Sequence, residues 1–265
     1  MTPTHSLVLT GLTDFPLVHA GDDLGALIVR SLADNRQPLM AGDIVVIAQK
    51  VVSKAEGRLV RLATVTPSPE AERLAATTEK DPRIVELILR ESVAIARARP
   101  GLIISEHRLG LVLANAGIDQ SNIDHSEGDG ALLLPEAPDA SAAQLRKLLE
   151  DHYAAPIGVI INDSLGRPWR EGTAGHAIGC AGIHGLGNLV GKPDLHGRGL
   201  LSTVVSWADE LAAAASFVMG QAAEACPVVL VRGAAMVAGG AGNAKDLLRP
   251  RDKDLFKDWP TNNLK

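Results

Sequence analysis

The chain has 265 residues, 46% of them hydrophobic and 22% charged, which is enough apolar side chain for a sizeable core and too much for a disordered segment. Lysine and arginine total 26 against 31 acidic residues, a formal charge of -5 with no basic block, which excludes a sequence-independent nucleic-acid binder. Three Trp, three Phe and one Tyr are too few for a platform of stacked rings.

In chain order, Val- and Ile-rich apolar runs alternate with stretches of helical period, the pattern of a mixed α/β (α+β) protein. Strands are expected at residues 6–10, 43–48, 57–62, 102–105, 109–115, 157–161, 201–207 and 228–231. A helix is expected over residues 22–33. Two more should begin at Ser68-Pro69-Glu70 and Asp81-Pro82-Arg83, where a capping side chain precedes a proline whose missing N–H costs nothing at the first helical position. Others are expected over 141–153 and, Ala-rich, over 208–224. Many of the 26 glycines fall between Gly166 and Gly199 and between Gly233 and Gly242, implying loops that expose backbone. Residues 67–81 and 195–201 suggest a division into two parts, one of them discontinuous. Cys180 and Cys226 form no CxxC pair, and no basic, apolar leader opens the chain, so a reduced, soluble, cytoplasmic protein is expected.

Three strand ends carry polar residues suited to chemistry. Residues 42–57 run from an apolar strand into Gln49, Lys50 and Lys54, and two lysines four residues apart can hold phosphate oxygens as point charges. From spacing alone a solvated turn leading to the next strand is the favoured reading of this segment, and no Walker pattern occurs. Residues 115–122 place Asp119 and Asn122 beyond a glycine, either to divide cation and ligand binding or to form an Asx turn. Residues 160–167 end a strand in Asp163, Ser164, Gly166 and Arg167, a carboxylate and hydroxyl suited to Mg²⁺ or Mn²⁺. Two Asp-bearing strand ends together are what a two-metal phosphoryl-transfer site requires. A rival set, His176, Cys180 and His184, has zinc-ligand chemistry but no fourth partner, and ordinary packing accounts for it. The glycines from Gly233 to Gly242 do not complete a dinucleotide-binding unit, because no strand with an acidic residue follows; a turn-rich loop is expected there.

Six blocks carry a family resemblance: GDIVVIAQKVVSKAEGRLV, LANAGIDQSNID, LLLPEAPDASA, GVIINDSLGRPWREGTAGHAIG, ADELAAAASFVMGQAAEACPVVLVRG and AKDLLRPRDKDLF. In this order, from Phe15 to Phe256, they resemble the coenzyme F420-0:L-glutamate ligases, in the form without an appended nitroreductase-like domain. The resemblance implies one ligase domain over residues 1–265 with two subdomains, in an intertwined, butterfly-like homodimer. It implies GTP as co-substrate, two divalent cations, Mg²⁺ or Mn²⁺, and admits K⁺. Asp119 and Asp163 match the family's ligands to the first cation, Ser164 and Gln221 those to the second. GTP contacts fall on Phe15, Pro16, Leu17 and Val18; on Gln49, Lys50 and Lys54; on Asn122; and on Met219, Gly220, Gln221, Ala222, Ala223, Glu224, Ala225 and Cys226. The implied reaction joins L-glutamate by an amide bond to the lactyl carboxylate of coenzyme F420-0 through an acyl phosphate, with further γ-linked glutamates possible in later rounds; no catalytic nucleophile or base is assigned. Where many relatives have two basic residues before a glycine, this chain reads Trp169-Arg170-Glu171-Gly172. The alternatives are a non-catalytic GTP-binding regulator or carrier and a ligase for another acid and amino acid.

Overall fold

The computed structural model describes residues 6–126, 128–234 and 237–257. The chain enters on β1 (Val8–Gly11) and continues into α1 (Leu24–Asp34), whose first turn is capped by Asp23 accepting from the Ala26 N–H. The apolar run after Asp43 becomes β2 (Ile44–Ala48) and passes directly into a short helix, α2 (Gln49–Ala55). Next come β3 (Leu59–Arg61), α3 (Pro69–Thr78) and α4 (Pro82–Glu91). Ser68 and Asp81 cap these two helices with a proline at the start of each, as their sequences predict. The strands β4 (Ser92–Arg99), β5 (Leu102–His107), β6 (Val112–Ala114) and β7 (Gly130–Leu132) precede α5 (Pro138–Tyr153). A long hairpin, β8 (Gly158–Arg167) and β9 (Arg170–Ala181), leads to β10 (Leu186–Asn188) and β11 (Val204–Ser206). Finally α6 (Trp207–Met219) returns the chain to β12 (Val228–Arg232).

The central sheet has the order β1-β12-β2-β8-β9. Only β2 and β8 are parallel, with Ile44 opposite Gly158 and Ala48 opposite Asn162; every other neighbouring pair is antiparallel. Alternation sends Val45, Ile47, Val159 and Ile161 to one face, against Ile28 and Leu32 of α1 and Leu145 and Leu149 of α5. Ile44, Val46, Ile160 and Val229 point the other way, against Leu211, Ala212 and Ala215 of α6. A third apolar cluster, which includes Val85, Ile88, Ile103 and Ala131, packs α3 and α4 against β3, β5 and β7. Its edge is closed by Glu91, one of whose oxygens lies 2.9 Å from Arg58 Nη2, 3.2 Å from Arg108 Nε and 3.3 Å from His107 Nε2.

Several elements differ from the sequence-based expectation. The segment after β2 is a helix rather than a solvated turn, because Val51 and Val52 turn into the core. The Gly-rich stretch after Trp169 is an edge strand of the central sheet, paired with β8, rather than a loop. At Gly175 an added Cβ would lie 2.4 Å from the Ala212 carbonyl oxygen of α6, and at Gly179 it would lie 2.5 Å from Pro138 backbone. Glycine here permits helices to press on both faces of β9. The expected Ala-rich helix stops at Met219, not Glu224, since Gly220 takes φ 73° and ends it. The glycines after β12 form a turn packed on β9's exit, with the Gly239 N–H donating to the Gly182 carbonyl and the His184 N–H to the Val237 carbonyl. Ala235 and Met236 of that stretch lie outside the described residues. No helix among the described residues is long and apolar enough to cross a membrane.

Candidate functional site

Adjacent parallel strands release their following segments at the same edge of a sheet, and open α/β sheets bind ligands there. The β2–β8 pair does this with α2 on one side and Asp163 on the other. Because α2 starts without a loop, Lys50 and Lys54 stand one turn apart on the same side of a short helix. The Lys50 ammonium is 2.6 Å from Asp119 Oδ2 and 2.8 Å from Ser121 Oγ. Lys54 Nζ donates to the Asn122 carbonyl at 2.7 Å. Burial, and then the neighbouring Lys50 charge, hold the Lys54 ammonium below its ordinary pKa.

Asp119 is delivered by an unusual turn. Asn115, Ala116 and Gly117 all have positive φ, and Ala116 is fully buried in the third cluster, so packing holds a conformation that costs L-residues about 1 kcal/mol each. Gly117 is required twice over, by its φ of 67° and by Leu134, which an added Cβ would meet at 2.8 Å. Beyond the turn, Asp119 exchanges two backbone hydrogen bonds with Leu132 of β7. Its carboxylate also accepts the Ser121 N–H at 2.7 Å. Burial raises its pKa, but the Lys50 hydrogen bond and the Ser121 N–H outweigh that and leave it below the ordinary value.

Asp163 faces the same place from β8. Burial and the Asp119 charge push its carboxyl up to about 6, against the opposing Ser164 N–H, Lys50 and His176. Its cross-strand neighbour is His176, whose Nδ1 is 2.8 Å from the Ala174 carbonyl. Thus one member of the rival zinc set stands beside Asp163, while Cys180 packs under α6 and His184 lies exposed past the strand. Among the described residues no three His, Cys, Asp or Glu side chains form a metal cluster.

The turn after α6 joins the site through Asn122, whose Nδ2 donates to the Ala222 carbonyl at 2.9 Å. Within it the Ala222 N–H donates to Glu224 Oε2, and Gln221, Ala222, Ala223, Glu224 and Ala225 are exposed. Gln221 Nε2 donates to Ser216 Oγ at 2.9 Å, so its carbonyl oxygen remains an acceptor. Met219 is buried beneath, and Cys226 is half-buried against Gly11. The other sequence candidates divide by burial. Phe15 and Val18 are core side chains, with Pro16 and Leu17 turned outward. Gln49 is buried, and its Oε1 accepts from Ser53 Oγ, so the side chain braces α2 internally.

The structure therefore brings Lys50, Lys54, Asp119, Asn122, Asp163 and the turn after α6 together, and leaves Gln49, Phe15 and Val18 inside. The sequence singles out His176 as a residue type, but its pairing with Asp163 depends on β9, whose glycines read as loop by composition. Asp119, Asp163, Ser164 and Gln221 offer only oxygen donors, carboxylate, hydroxyl and amide. That chemistry fits a hard divalent cation such as Mg²⁺ or Mn²⁺ and not a thiolate-preferring one.

Residues 13–233 match the family model described as F420-0:Gamma-glutamyl ligase. The chain belongs to that family. It is 48% identical over 251 residues to the coenzyme F420:L-glutamate ligase of Methanothermobacter thermautotrophicus, covering 94% of this chain and 98% of that one. It is 45% identical to the enzyme of the same name from Methanopyrus kandleri, covering 91% of this chain and 93% of the other. The Methanocaldococcus jannaschii enzyme of that name is 45% identical over 83% of this chain and 87% of its own. As a member of the F420-0:gamma-glutamyl ligases, this protein is a ligase.

Proposed function

We propose that the protein joins L-glutamate to the lactyl carboxylate of coenzyme F420-0 at the expense of GTP, and that Lys50, Lys54, Asp119, Asp163, Ser164, Asn122 and the turn from Met219 to Cys226 hold the nucleotide and its cations. The observation that carries this reading is the convergence of Lys50, Asp119 and Asp163 at the exit of the parallel strand pair, within a chain of this family. A free carboxylate is a poor acylating agent, so the acid must first be activated. Its oxygen attacks the γ-phosphorus of GTP, GDP departs, and an acyl phosphate results. The amine of glutamate then attacks the acyl carbon, inorganic phosphate leaves, and the nitrogen loses its proton as the amide forms.

Each named residue has a physical task in that sequence. Lys50 and Lys54 supply two positive charges to phosphate oxygens from the same side of α2. Asp119, Asp163, Ser164 and Gln221 would hold divalent cations, which supply neutralisation of the charge developing on the transferred phosphoryl group. Asn122 ties the Asp119 loop to the turn after α6, fixing the nucleotide's two flanks relative to each other. The fold has few rings to offer a deazaflavin; Trp169 stands 79% exposed at the β8–β9 hairpin, in an edge-on contact with Phe256.

The decisive experiment incubates the purified protein with coenzyme F420-0, L-glutamate, GTP and Mg²⁺ or Mn²⁺, and follows GDP and product mass. The expected result is a glutamylated product formed in step with GDP, with ATP a poor replacement. GTP binding without GDP release when both substrates are present would identify a regulator or carrier instead, and GDP release with another acid or amine would identify a different ligase. The homodimer belongs to the same proposal. Its support is the excursion from β10 to β11, which carries Leu195 fully exposed and Leu201 80% exposed. Apolar side chains held out on an arm mark a surface that another molecule covers.

A further inference from the structure

Resting on the proposed nucleotide and cation site, we infer that Lys50 is the site's built-in counter-ion: its ammonium holds the place of a cation at Asp119 until nucleotide phosphate draws it away, so that metal and nucleotide bind cooperatively. The Lys50 side chain is 27% exposed and Asp119 34%, a partly desolvated pair in which an ammonium at 2.6 Å contends directly with any metal for the same oxygen. Ser121 Oγ, 2.8 Å from the ammonium, adds a second ligand of the kind a cation would use. Asp163 feels both charges, so the three groups form one electrostatic unit of two carboxylates and one ammonium.

The balance of charge predicts the order of events. Two carboxylates and Lys50 leave the unit with one negative charge, which is a weak attraction for a free divalent cation that must also displace the ammonium. A triphosphate changes this, because its anionic oxygens can take over the Lys50 ammonium and free Asp119 for the metal. Lys54 does not play the same part, since its ammonium donates to the Asn122 carbonyl and pairs with neither carboxylate. Linkage then requires that the metal raise nucleotide affinity by the same factor by which nucleotide raises metal affinity.

The test measures Mn²⁺ binding to the full chain by the electron paramagnetic resonance signal of the free ion, with and without a non-hydrolysable GTP analogue. In the wild type, the analogue should tighten Mn²⁺ binding by more than about tenfold beyond the Mn²⁺ that the analogue itself takes up in a protein-free control. In Lys50→Met, Mn²⁺ alone should bind about tenfold more tightly than to the wild type, and the analogue should add much less. Lys50→Gln should reproduce this with a neutral donor left at Asp119, and circular dichroism checks that each variant is folded. Lys54→Met removes an equal charge nearby and should tighten Mn²⁺ alone by far less. Unchanged or weaker Mn²⁺ binding in both Lys50 variants overturns the inference, as does equal tightening in Lys54→Met, which would reduce it to a general field. If the wild type binds no Mn²⁺ even with the analogue, the proposed cation site itself fails and this inference with it.

Discussion

Asp119 and Asp163 are both carboxylates at strand ends, yet their surroundings drive them apart. Asp119 is paired with Lys50 and held ionised, whereas Asp163 is pushed up to about 6 by burial and by Asp119. Asp119→Asn and Asp163→Asn should each lower kcat by at least about 100-fold while leaving the thermal midpoint near that of the wild type, because each removes charge from the reacting region and not from the core. Wild-type turnover in either variant would remove that residue from the site. Glu91 is the contrasting case, a carboxylate whose task is structural. Burial raises its pKa, but His107, Arg58 and Arg108 outweigh this and bring it down from 4.5 to about 2. Its stabilising contribution is fully present above its unfolded pKa and is lost as pH falls from about 4.5 towards 2, amounting to about 3 kcal/mol. Urea unfolding of Glu91→Gln should show a loss of about 3 kcal/mol at pH 7 that shrinks as the pH is lowered through that window.

At the scale of elements, what was legible in the sequence was whatever had a local cause. The Ser68-Pro69 and Asp81-Pro82 starts were readable because capping depends on neighbours in the chain, and β2, β8 and β12 because buried strands are continuous apolar runs. The β9 strand was not readable. Its glycines answer to α6 and Pro138, partners distant in sequence, and by composition they look like loop. The same limit hid α2, a helix too short to show a period and held by Val51 and Val52 in the core. For the site, the acidic and basic strand ends stood out as residue types, while their convergence depends on sheet order. Gly175→Ala tests the explanation of β9: the new methyl would press on the Ala212 carbonyl and on Asn162 Oδ1, and should cost about 1–3 kcal/mol in chemical denaturation. Gly166→Ala, in the same hairpin with open space around it, should stay within about 0.5 kcal/mol of the wild type.

Across the whole molecule, an acidic chain is proposed to handle polyanions, so attraction must come from a few placed cations and not from its overall field. The exposed arm between β10 and β11 makes a separate prediction. If a second copy covers it, the wild type should sediment as a dimer and the double variant Leu195→Glu, Leu201→Glu as a folded monomer. A wild-type monomer would overturn that arrangement. The parallel seam between β2 and β8 carries a further consequence, for tolerance of change in chain length. It works as a caliper: Lys50 and Asp163 keep their separation only while Ala48 sits opposite Asn162. Removing one residue from either strand would slide a jaw by about 3.3 Å and turn its following side chains to the opposite face. Insertions and deletions within residues 44–48 or 158–162 should therefore be ruinous, whatever residues are chosen to fill them.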